Sequence, residues 1–206
     1  MIRPYLHVAA SAVAVTLLCS CSTTSEQPEQ NLSAAPSTTK QIAVPAASAT
    51  LQPNSGSRGK VEFDPCTEFD DPTIQRAGYD SETRKRTDGI HEWYAFVGCT
   101  FENREPAGTF GTIAPIRSIG IAATNITLDE FRQRYAGKYS EESIGGRKAI
   151  QYRPSTQCGM VIEFPEFALD LTNSTLAGFT DEKPCDNIVN AATVLEAATT
   201  NTIGNR

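Results

Sequence analysis

The sequence predicts an α+β fold in which one mainly antiparallel sheet of about five strands packs against helices and two disulfide bonds link the chain. Three observations predict it: five short β-branched or aromatic segments, several capped helical segments, and four cysteines in the C-terminal three quarters of the chain. Strands joined by short connections and grouped apart from the helices indicate one antiparallel sheet with helices on at least one side.

The N-terminal segment has the pattern of a bacterial signal peptide. Arg3 is followed by an uncharged apolar run from Val8 to Leu18, and the polar stretch "STTSEQPEQ" comes soon after. The run is about half of the ~20 residues that a membrane-spanning helix needs. We therefore expect residues 1–20 to be removed and do not expect a permanent transmembrane helix.

The end of this run, "LLCSC", resembles a lipobox, in which a small residue precedes a cysteine that is acylated and becomes the mature N-terminus. Ser20 precedes Cys21, whereas the bulky Leu18 precedes Cys19. Cys21 is therefore the predicted lipid anchor, and its acyl chains, palmitate among them, would hold the protein on the extracytoplasmic face of the cell membrane. An ordinary secretory signal, cut after "CSC" or "STT", is the alternative.

The charge of the mature chain excludes some partners. Loss of residues 1–20 removes Arg3, one of 18 basic residues, and none of the 24 acidic residues. A mildly acidic chain is not suited to nucleic acid or to an electrostatic grip on anionic lipid. We expect no nucleic-acid partner and attachment to the membrane through acyl chains alone.

Residues 21–60 comprise the acylated cysteine and a predicted tether. From Ser22 to about Lys60 the chain is rich in Ser, Thr, Pro, Ala and Gln and has no aromatic residue, as in "NLSAAPSTTKQIAVPAASATLQPNSGSRGK". Such a segment buries too little apolar surface to offset its ordering entropy, so a disordered spacer is expected. Its Ser, Thr and Pro content would also permit O-glycosylation.

Residues 61–206 form one predicted domain, which begins with short helices. Asp64-Pro65 and Asp71-Pro72 are N-cap and N1-proline signals, and Gly78 can end the second helix. The segment "HEWYAFVGCTFE" alternates like a strand that turns Cys99 inward, and "IRSIGIAAT" is the next strand.

The second half of the domain is predicted to alternate between helix and sheet. A capping box, Thr127 with Glu130, opens "TLDEFRQRYAGK", which Gly137 ends. The segments "GRKAIQYRP", "CGMVIEF" and "FALDLTN" are three more strands, with Pro165 at the break between the last two. A closing helix, "PCDNIVNAATVLEAATT", is expected to begin at Pro184.

Four cysteines, Cys66, Cys99, Cys158 and Cys185, fall in this domain. An even number in an exported chain indicates two disulfides, for which three pairings are possible. We favour Cys66 with Cys99 and Cys158 with Cys185, because sequential pairing joins each helical region to a strand nearby in sequence. The spacings and the lack of histidines around them make a zinc site a weak alternative, and no metal or cofactor is expected.

Residues that could carry catalysis are few. His91 is the sole histidine of the domain and, without a recognisable nucleophile, is better explained as a solvated residue at a strand end. Asp70 with Asp71 and Glu141 with Glu142 are explained by helix capping and by a solvated loop. The "RKR" run, Arg84 to Arg86, fits a solvated turn better than a site for an anionic envelope polymer or a lipid headgroup.

A resemblance covers the whole chain. The lipobox, the tether, the early "DPC", the strand "GCTFE", the segment "CGMVIEF" and the helix "PCDNIVNAATVLEAA" together resemble actinobacterial, mycobacterial-type lipoproteins of the LprB/LprC type. The position Cys99-Thr100-Phe101 departs from the "C-x-W" usual in that family. The resemblance implies a cell-envelope address and a domain of unknown function, and it implies no functional residues.

Three functions remain open on the sequence. The leading hypothesis is a non-enzymatic module that binds a small apolar or glycan ligand or docks on a membrane partner. A cell-wall-directed hydrolase is the second, and a structural or sensor-like partner protein is the third. A deep apolar pocket with a few polar groups would favour the first, two facing carboxyls the second, and a flat apolar patch the third.

Overall fold

A computed structural model of the 206-residue chain describes residues 40–52, 58–107, 111–176 and 178–205. The elements in chain order are α1 (Pro65–Glu68), α2 (Asp71–Arg76), β1 (Asp80–Arg86), β2 (Gly89–Ile90), β3 (Ala95–Ala107), β4 (Thr112–Thr124), α3 (Leu128–Arg134), β5 (Tyr139–Ile144), β6 (Arg147–Tyr152), β7 (Cys158–Glu163), β8 (Ala168–Thr175) and α4 (Ile188–Gly204).

The strands form one antiparallel sheet in the order β1-β3-β4-β8-β7-β6-β5, with the two-residue β2 beside β3. The predicted fold class is therefore wrong: the sheet has eight strands, not about five, and apart from α4 the helices are short. The missed strands are β1, β2 and β5. "DSETRKR" and "YSEESI" lie at the two edges of the sheet, where charged residues discourage pairing with another chain and hide the apolar alternation of a strand.

The central strands are buried on both sides. In β7, "CGMVIE", the first five residues are buried, and alternate side chains enter two different clusters. Met160 and Ile162 belong to the larger cluster and Val161 to the smaller one. Because successive residues of a strand face opposite sides, these clusters lie on the two sides of the sheet.

The larger cluster lies between the sheet and the helices α1, α2 and α4. Helix α4 buries Ile188, Ala191, Ala192 and Leu195 against it. The helix begins after Asn187, so Pro184 is not its first residue, contrary to the sequence prediction. Asp70 rather than Asp71 is the N-cap of α2, which leaves the Asp71 carboxylate for another contact.

Two disulfides join this side of the sheet to its helices. Cys66 of α1 is bonded to Cys99 of β3, with a Cα–Cα distance of 5.3 Å, and Cys158 of β7 is bonded to Cys185, with a Cα–Cα distance of 5.2 Å. This is the pairing that the sequence favours. Each bond closes a loop of about 30 residues and contributes about 3–4 kcal/mol on a loop-entropy estimate.

The smaller cluster lies under α3 on the other side. Leu128 and Phe131 of α3 pack on Ile150, Tyr152 and Val161 of β6 and β7. The predicted capping box is confirmed, since the Thr127 side chain accepts from the Glu130 amide and the Glu130 side chain accepts from the Thr127 amide.

Part of the segment predicted as a tether contacts the domain. The Ala43 amide donates to Asp71 Oδ2 at 2.7 Å, and the Thr50 amide donates to Asp88 Oδ2 at 2.8 Å. The Gln52 side chain forms two hydrogen bonds with the backbone of Val61. Residues 40–52 therefore lie along the domain. Within the described ranges, no helix has both the length and the apolar composition needed to cross a membrane.

Candidate functional site

The hairpin turn between β7 and β8 is built from two phenylalanines, Phe164 and Phe167, with Pro165 and Glu166 between them. The Phe164 amide donates to the Phe167 carbonyl at 2.9 Å, which closes the turn. Pro165 has no amide hydrogen, so the chain leaves the ladder here, as the sequence predicts. The two rings stack with centroids 5.0 Å apart and an interplanar angle of 9°.

The stack continues on both sides of the turn and forms an aromatic column. The Phe63 ring stacks on Phe167 with centroids 4.9 Å apart. At the other end, Cζ of Arg147 lies 4.3 Å from the centroid of the Phe164 ring. The aromatic column thus contains Phe63, Phe167, Phe164 and the Arg147 guanidinium in that order, and it links the chain before α1, the β7–β8 turn and β6.

The Arg147 guanidinium is held in one orientation by α4. Its Nε donates to Glu196 Oε1 at 2.9 Å, and its Nη2 donates to Thr200 Oγ1 at 3.1 Å. Thr200 in turn donates to Glu196 Oε1 at 2.7 Å, so one buried carboxylate fixes both groups. Nη1 makes no hydrogen bond with any other described residue and keeps its two N–H donors for another partner.

A cleft of about 460 Å³ opens between the β7–β8 turn and the end of α4. We call it the turn cleft, and it is lined by Lys60, Glu62, Phe63, Arg147, Pro165, Glu166, Phe167, Thr200, Ile203 and Gly204. Its size lies within the range of about 300–1,000 Å³ typical of small-molecule sites. Its walls are mainly apolar, with one fixed guanidinium and charged groups at the rim.

A second cleft, of about 610 Å³, lies on the other side of the same turn, next to the start of α3. It is more polar, because Glu130 and Arg58 form an ion pair along its wall. The hydrogen bond from Arg58, together with those from Thr127, lowers the pKa of Glu130 to about 2. Since both charges are already paired, this cleft offers a ligand less than the turn cleft does.

The residues singled out in the sequence lie elsewhere. The four domain cysteines are all in disulfides, and Cys21 lies outside the described residues. His91 is exposed, with its ring 4.4 Å from that of Tyr94, and lines neither of the two clefts.

The "RKR" run is not a solvated turn, and that prediction is wrong. Arg84 is buried in β1 and paired with Asp71, whereas Arg86 pairs with Asp64 and Asp88. Glu141 and Glu142 lie in β5 rather than in a loop. These charges stabilise the fold and its edge strands and do not form a site for an anionic polymer.

Sequence reasoning missed the turn cleft because its residues come from four separate places in the chain. The stretch "FPEF" predicts a break between strands, and its two phenylalanines around a proline are a signal for an aromatic turn. No sequence pattern links it to Arg147 or Glu196. Among the described residues, no group of His, Cys, Asp and Glu is arranged to hold a metal ion.

The fold and the cleft define a disulfide-linked domain built on one eight-stranded antiparallel sheet, with an apolar cleft at a hairpin turn. Over residues 16–198 the chain matches the family described as "Protein of unknown function (DUF3558)", and it belongs to this family. Neither the curated proteins nor the solved structures gave a match.

Proposed function

We propose that this protein is a lipid-anchored module of the cell envelope that binds a small amphiphilic ligand in the turn cleft and is not an enzyme. The observation that carries the proposal is the composition of the cleft wall, where Phe63, Phe167 and Ile203 lie beside one oriented guanidinium, that of Arg147. Ligand pockets combine such apolar walls with a few fixed polar groups.

The chemistry of the wall indicates how a ligand would lie. Its apolar part would cover Phe167 and Ile203, both of which are partly exposed. Its polar end would accept hydrogen bonds from Arg147 Nη1, with Lys60 at the rim as a second donor. Because Glu196 and Thr200 already hold Arg147, little side-chain entropy would be lost on binding.

The proposed address rests on the sequence. The signal-peptide pattern, Ser20 before Cys21 and two disulfides fit an exported lipoprotein. We further propose the finer relationship to actinobacterial lipoproteins of the LprB/LprC type, on the order and spacing of the motifs quoted above. Acylation of Cys21 would keep the protein at the outer surface of the membrane, where amphiphilic ligands concentrate.

The test is a binding titration of the purified full-length protein with a dansyl-labelled fatty acid, together with native mass spectrometry of protein purified from the envelope. Gly204→Leu is the blocking variant, because Gly204 lines the turn cleft and a Cβ there meets no atom within 4 Å. Asn201→Leu is the matched control: it lies on the same helix, is exposed and lines neither of the two clefts.

We expect the probe to bind the wild type and Asn201→Leu equally and to bind Gly204→Leu at least about fivefold more weakly. A co-purifying amphiphile that is lost in Gly204→Leu would identify the ligand. Equal binding to all three proteins, or no binding together with no co-purifying amphiphile, would refute the proposal.

A further inference from the structure

The turn cleft is bordered along one side by the last turns of α4, and its hydrogen-bonding character changes along that helix. At Thr200 the wall carries the Arg147 guanidinium, whose Nη2 donates to the threonine hydroxyl at 3.1 Å. Further along, the wall is formed by Ile203 and by Gly204, where α4 ends. Gly204 lies one helical turn beyond Thr200, or about 6 Å along the axis. A ligand in the turn cleft can therefore contact both places.

The Arg147 guanidinium supplies donors, although its charge is already balanced. Its Nε forms an ion pair with the buried carboxylate of Glu196 at 2.9 Å. Nη1 keeps two N–H donors. Lys60 is exposed at the rim and forms no ion pair with any described residue. The turn cleft thus offers an anionic group two free N–H donors and one cation without a partner.

The turn cleft also contains acceptors that are not satisfied. The last carbonyl groups of a helix have no amide partner within it and carry the negative end of the helix dipole. Helix α4 has no basic residue in its last turn to offset them. Two exposed carboxylates, those of Glu62 and Glu166, line the same cleft, and neither pairs with a described cation. These groups favour a positively charged donor.

Neither a simple anion nor a simple cation satisfies this set of groups. The side chains that line the turn cleft or hold its guanidinium carry two positive and three negative charges: Arg147 and Lys60, and Glu62, Glu166 and Glu196. A carboxylate head would add a fourth negative charge and leave the acceptors unmatched. An alkylammonium head would meet the guanidinium and leave Nη1 without an acceptor. A head that carries both signs matches donors and acceptors together.

The aromatic column decides which kind of cation fits. A quaternary ammonium group is recognised over the faces of aromatic rings. Both faces of Phe167 are covered, since Phe63 stacks on one and Phe164 on the other, with centroids 4.9 and 5.0 Å away. The carboxylates and helix carbonyls of the cleft instead match a primary ammonium, which has three N–H donors.

We propose that the ligand of the turn cleft is a single-chain amphiphile with a zwitterionic head, whose anionic group accepts from Arg147 and whose primary ammonium donates to the carboxylates and to the end of α4. This inference rests on the proposed function, because it names the ligand class of the same cleft. A phosphoethanolamine head has this composition, with an ethylene group between phosphate and ammonium. The cleft volume of about 460 Å³ lies in the lower half of the range for small-molecule sites, which favours one acyl chain over two.

The test is isothermal titration calorimetry of the purified full-length protein with four lipids of one chain length, each below its critical micelle concentration. They are lauroyl-lysophosphatidylethanolamine, lauroyl-lysophosphatidylcholine, lauric acid and dodecylamine. We expect lysophosphatidylethanolamine to bind at least about tenfold more tightly than lauric acid or dodecylamine, because only it satisfies both sets of groups. It should bind at least about threefold more tightly than lysophosphatidylcholine, whose ammonium has no N–H donor.

The acceptors are tested by the double variant Glu62→Gln with Glu166→Gln. Loss of two carboxylates should weaken lysophosphatidylethanolamine binding at least about threefold, and lauric acid should bind at least as tightly as to the wild type. The matched control is Glu92→Gln with Glu163→Gln, which removes two exposed carboxylates that do not line the turn cleft. It should bind both lipids as the wild type does.

The outcomes separate this inference from the proposed function. Equal affinities for lysophosphatidylethanolamine and lauric acid, or tighter binding of dodecylamine, would overturn the zwitterionic head and leave an amphiphile site in place. Equal affinities for the two lysophospholipids would overturn the primary ammonium, and equal binding by the two double variants would overturn the role of the carboxylates. If none of the four lipids binds, the inference fails; if the dansyl-labelled fatty acid also fails to bind and no amphiphile co-purifies, the proposed function fails with it.

Discussion

Arg84 Nη2 lies 2.9 Å from Asp71 Oδ1, with both side chains buried. The same guanidinium donates through Nη1 to the carbonyls of Cys66, at 2.9 Å, and Phe69, at 3.2 Å. One cation therefore ties the edge strand β1 to the segment that carries α1 and α2. Asp71 also accepts from the Ala43 amide, so the contact extends to the segment 40–52.

Replacement of Arg84 by leucine should be strongly destabilising. It would leave the Asp71 carboxylate buried without a cation and two carbonyls without donors, at a cost of about 3–5 kcal/mol in the free energy of unfolding. Lys85→Leu is the matched control, because Lys85 is the next residue of β1 and is exposed; its expected effect is under about 0.5 kcal/mol. Urea unfolding under non-reducing conditions measures both, and similar midpoints for the two variants would contradict the role given to Arg84.

Arg84 also shows why the sequence predicted five strands rather than eight. The alternation of "HEWYAFVGCTFE" predicts one face made of Trp93, Ala95, Val97, Cys99 and Phe101. The last four are buried in β3, whereas Trp93 precedes the strand and is exposed. In "DSETRKR" the inward position is an arginine whose partner, Asp71, lies 13 residues away. Periodicity identifies strands that bury apolar side chains, but it does not recognise a strand that buries an ion pair.

The same limit applies to the sites. The disulfide pairing was predictable because sequence order and the inward face of β3 placed Cys66 near Cys99. The turn cleft was not, since Arg147 and Glu196 are 49 residues apart and meet only once α4 packs on the sheet. The surroundings of Asp170 depend on strand order as well, because β8 lies between β4 and β7 and brings Asp170 beside Ala122.

The anchor prediction concerns residues that the structure does not describe. Cys21→Ala should abolish acylation and move the protein to the soluble fraction, because Cys21 is the cysteine that follows a small residue at the end of the apolar run. Cys19→Ala is the control and should have little effect. Fractionation after a carbonate wash measures both, and membrane retention of Cys21→Ala would contradict the assignment.

Asp170 gives the stability of the domain a particular pH dependence. Its pKa is raised from 3.8 in the unfolded chain to about 6 in the folded domain, so folding favours the protonated carboxyl. The stabilising contribution of the Asp170 carboxyl to the free energy of unfolding is therefore fully present below about pH 4 and is lost as the pH rises through 6. Asp170→Asn removes that loss, and at pH 7 it should raise the free energy of unfolding by about 1–2 kcal/mol.

The difference between Asp170→Asn and the wild type should shrink as the pH falls from 7 to 4, which urea unfolding at each pH measures. Glu166→Gln is the control, since Glu166 is an exposed carboxylate in the β7–β8 turn, and we expect it to follow the wild type within about 0.5 kcal/mol at every pH. An Asp170→Asn curve parallel to that of the wild type would show that Asp170 titrates alike in the folded and unfolded chains.

The turn between β5 and β6 offers a matched pair of glycines beside the turn cleft. Gly145 and Gly146 have φ angles of +59° and +82°, so alanine at either position strains the backbone by about 1 kcal/mol. A Cβ at Gly146 meets no atom within 4 Å, whereas one at Gly145 would overlap the carboxylate of Glu196. Gly145→Ala must therefore displace the group that holds Arg147, and it should cost about 2–4 kcal/mol in total.

The two glycine variants also separate stability from ligand binding. Release of Arg147 in Gly145→Ala should weaken binding of the dansyl-labelled fatty acid at least about threefold, through loss of an oriented donor. Gly146→Ala should bind the probe as the wild type does, because its strain does not reach Glu196. Urea unfolding and the probe titration, run on both proteins, give the comparison. If Gly145→Ala and Gly146→Ala lower the free energy of unfolding equally, Glu196 moves aside freely. If Gly145→Ala is the less stable of the two but both bind the probe equally, the ligand does not use the Arg147 guanidinium.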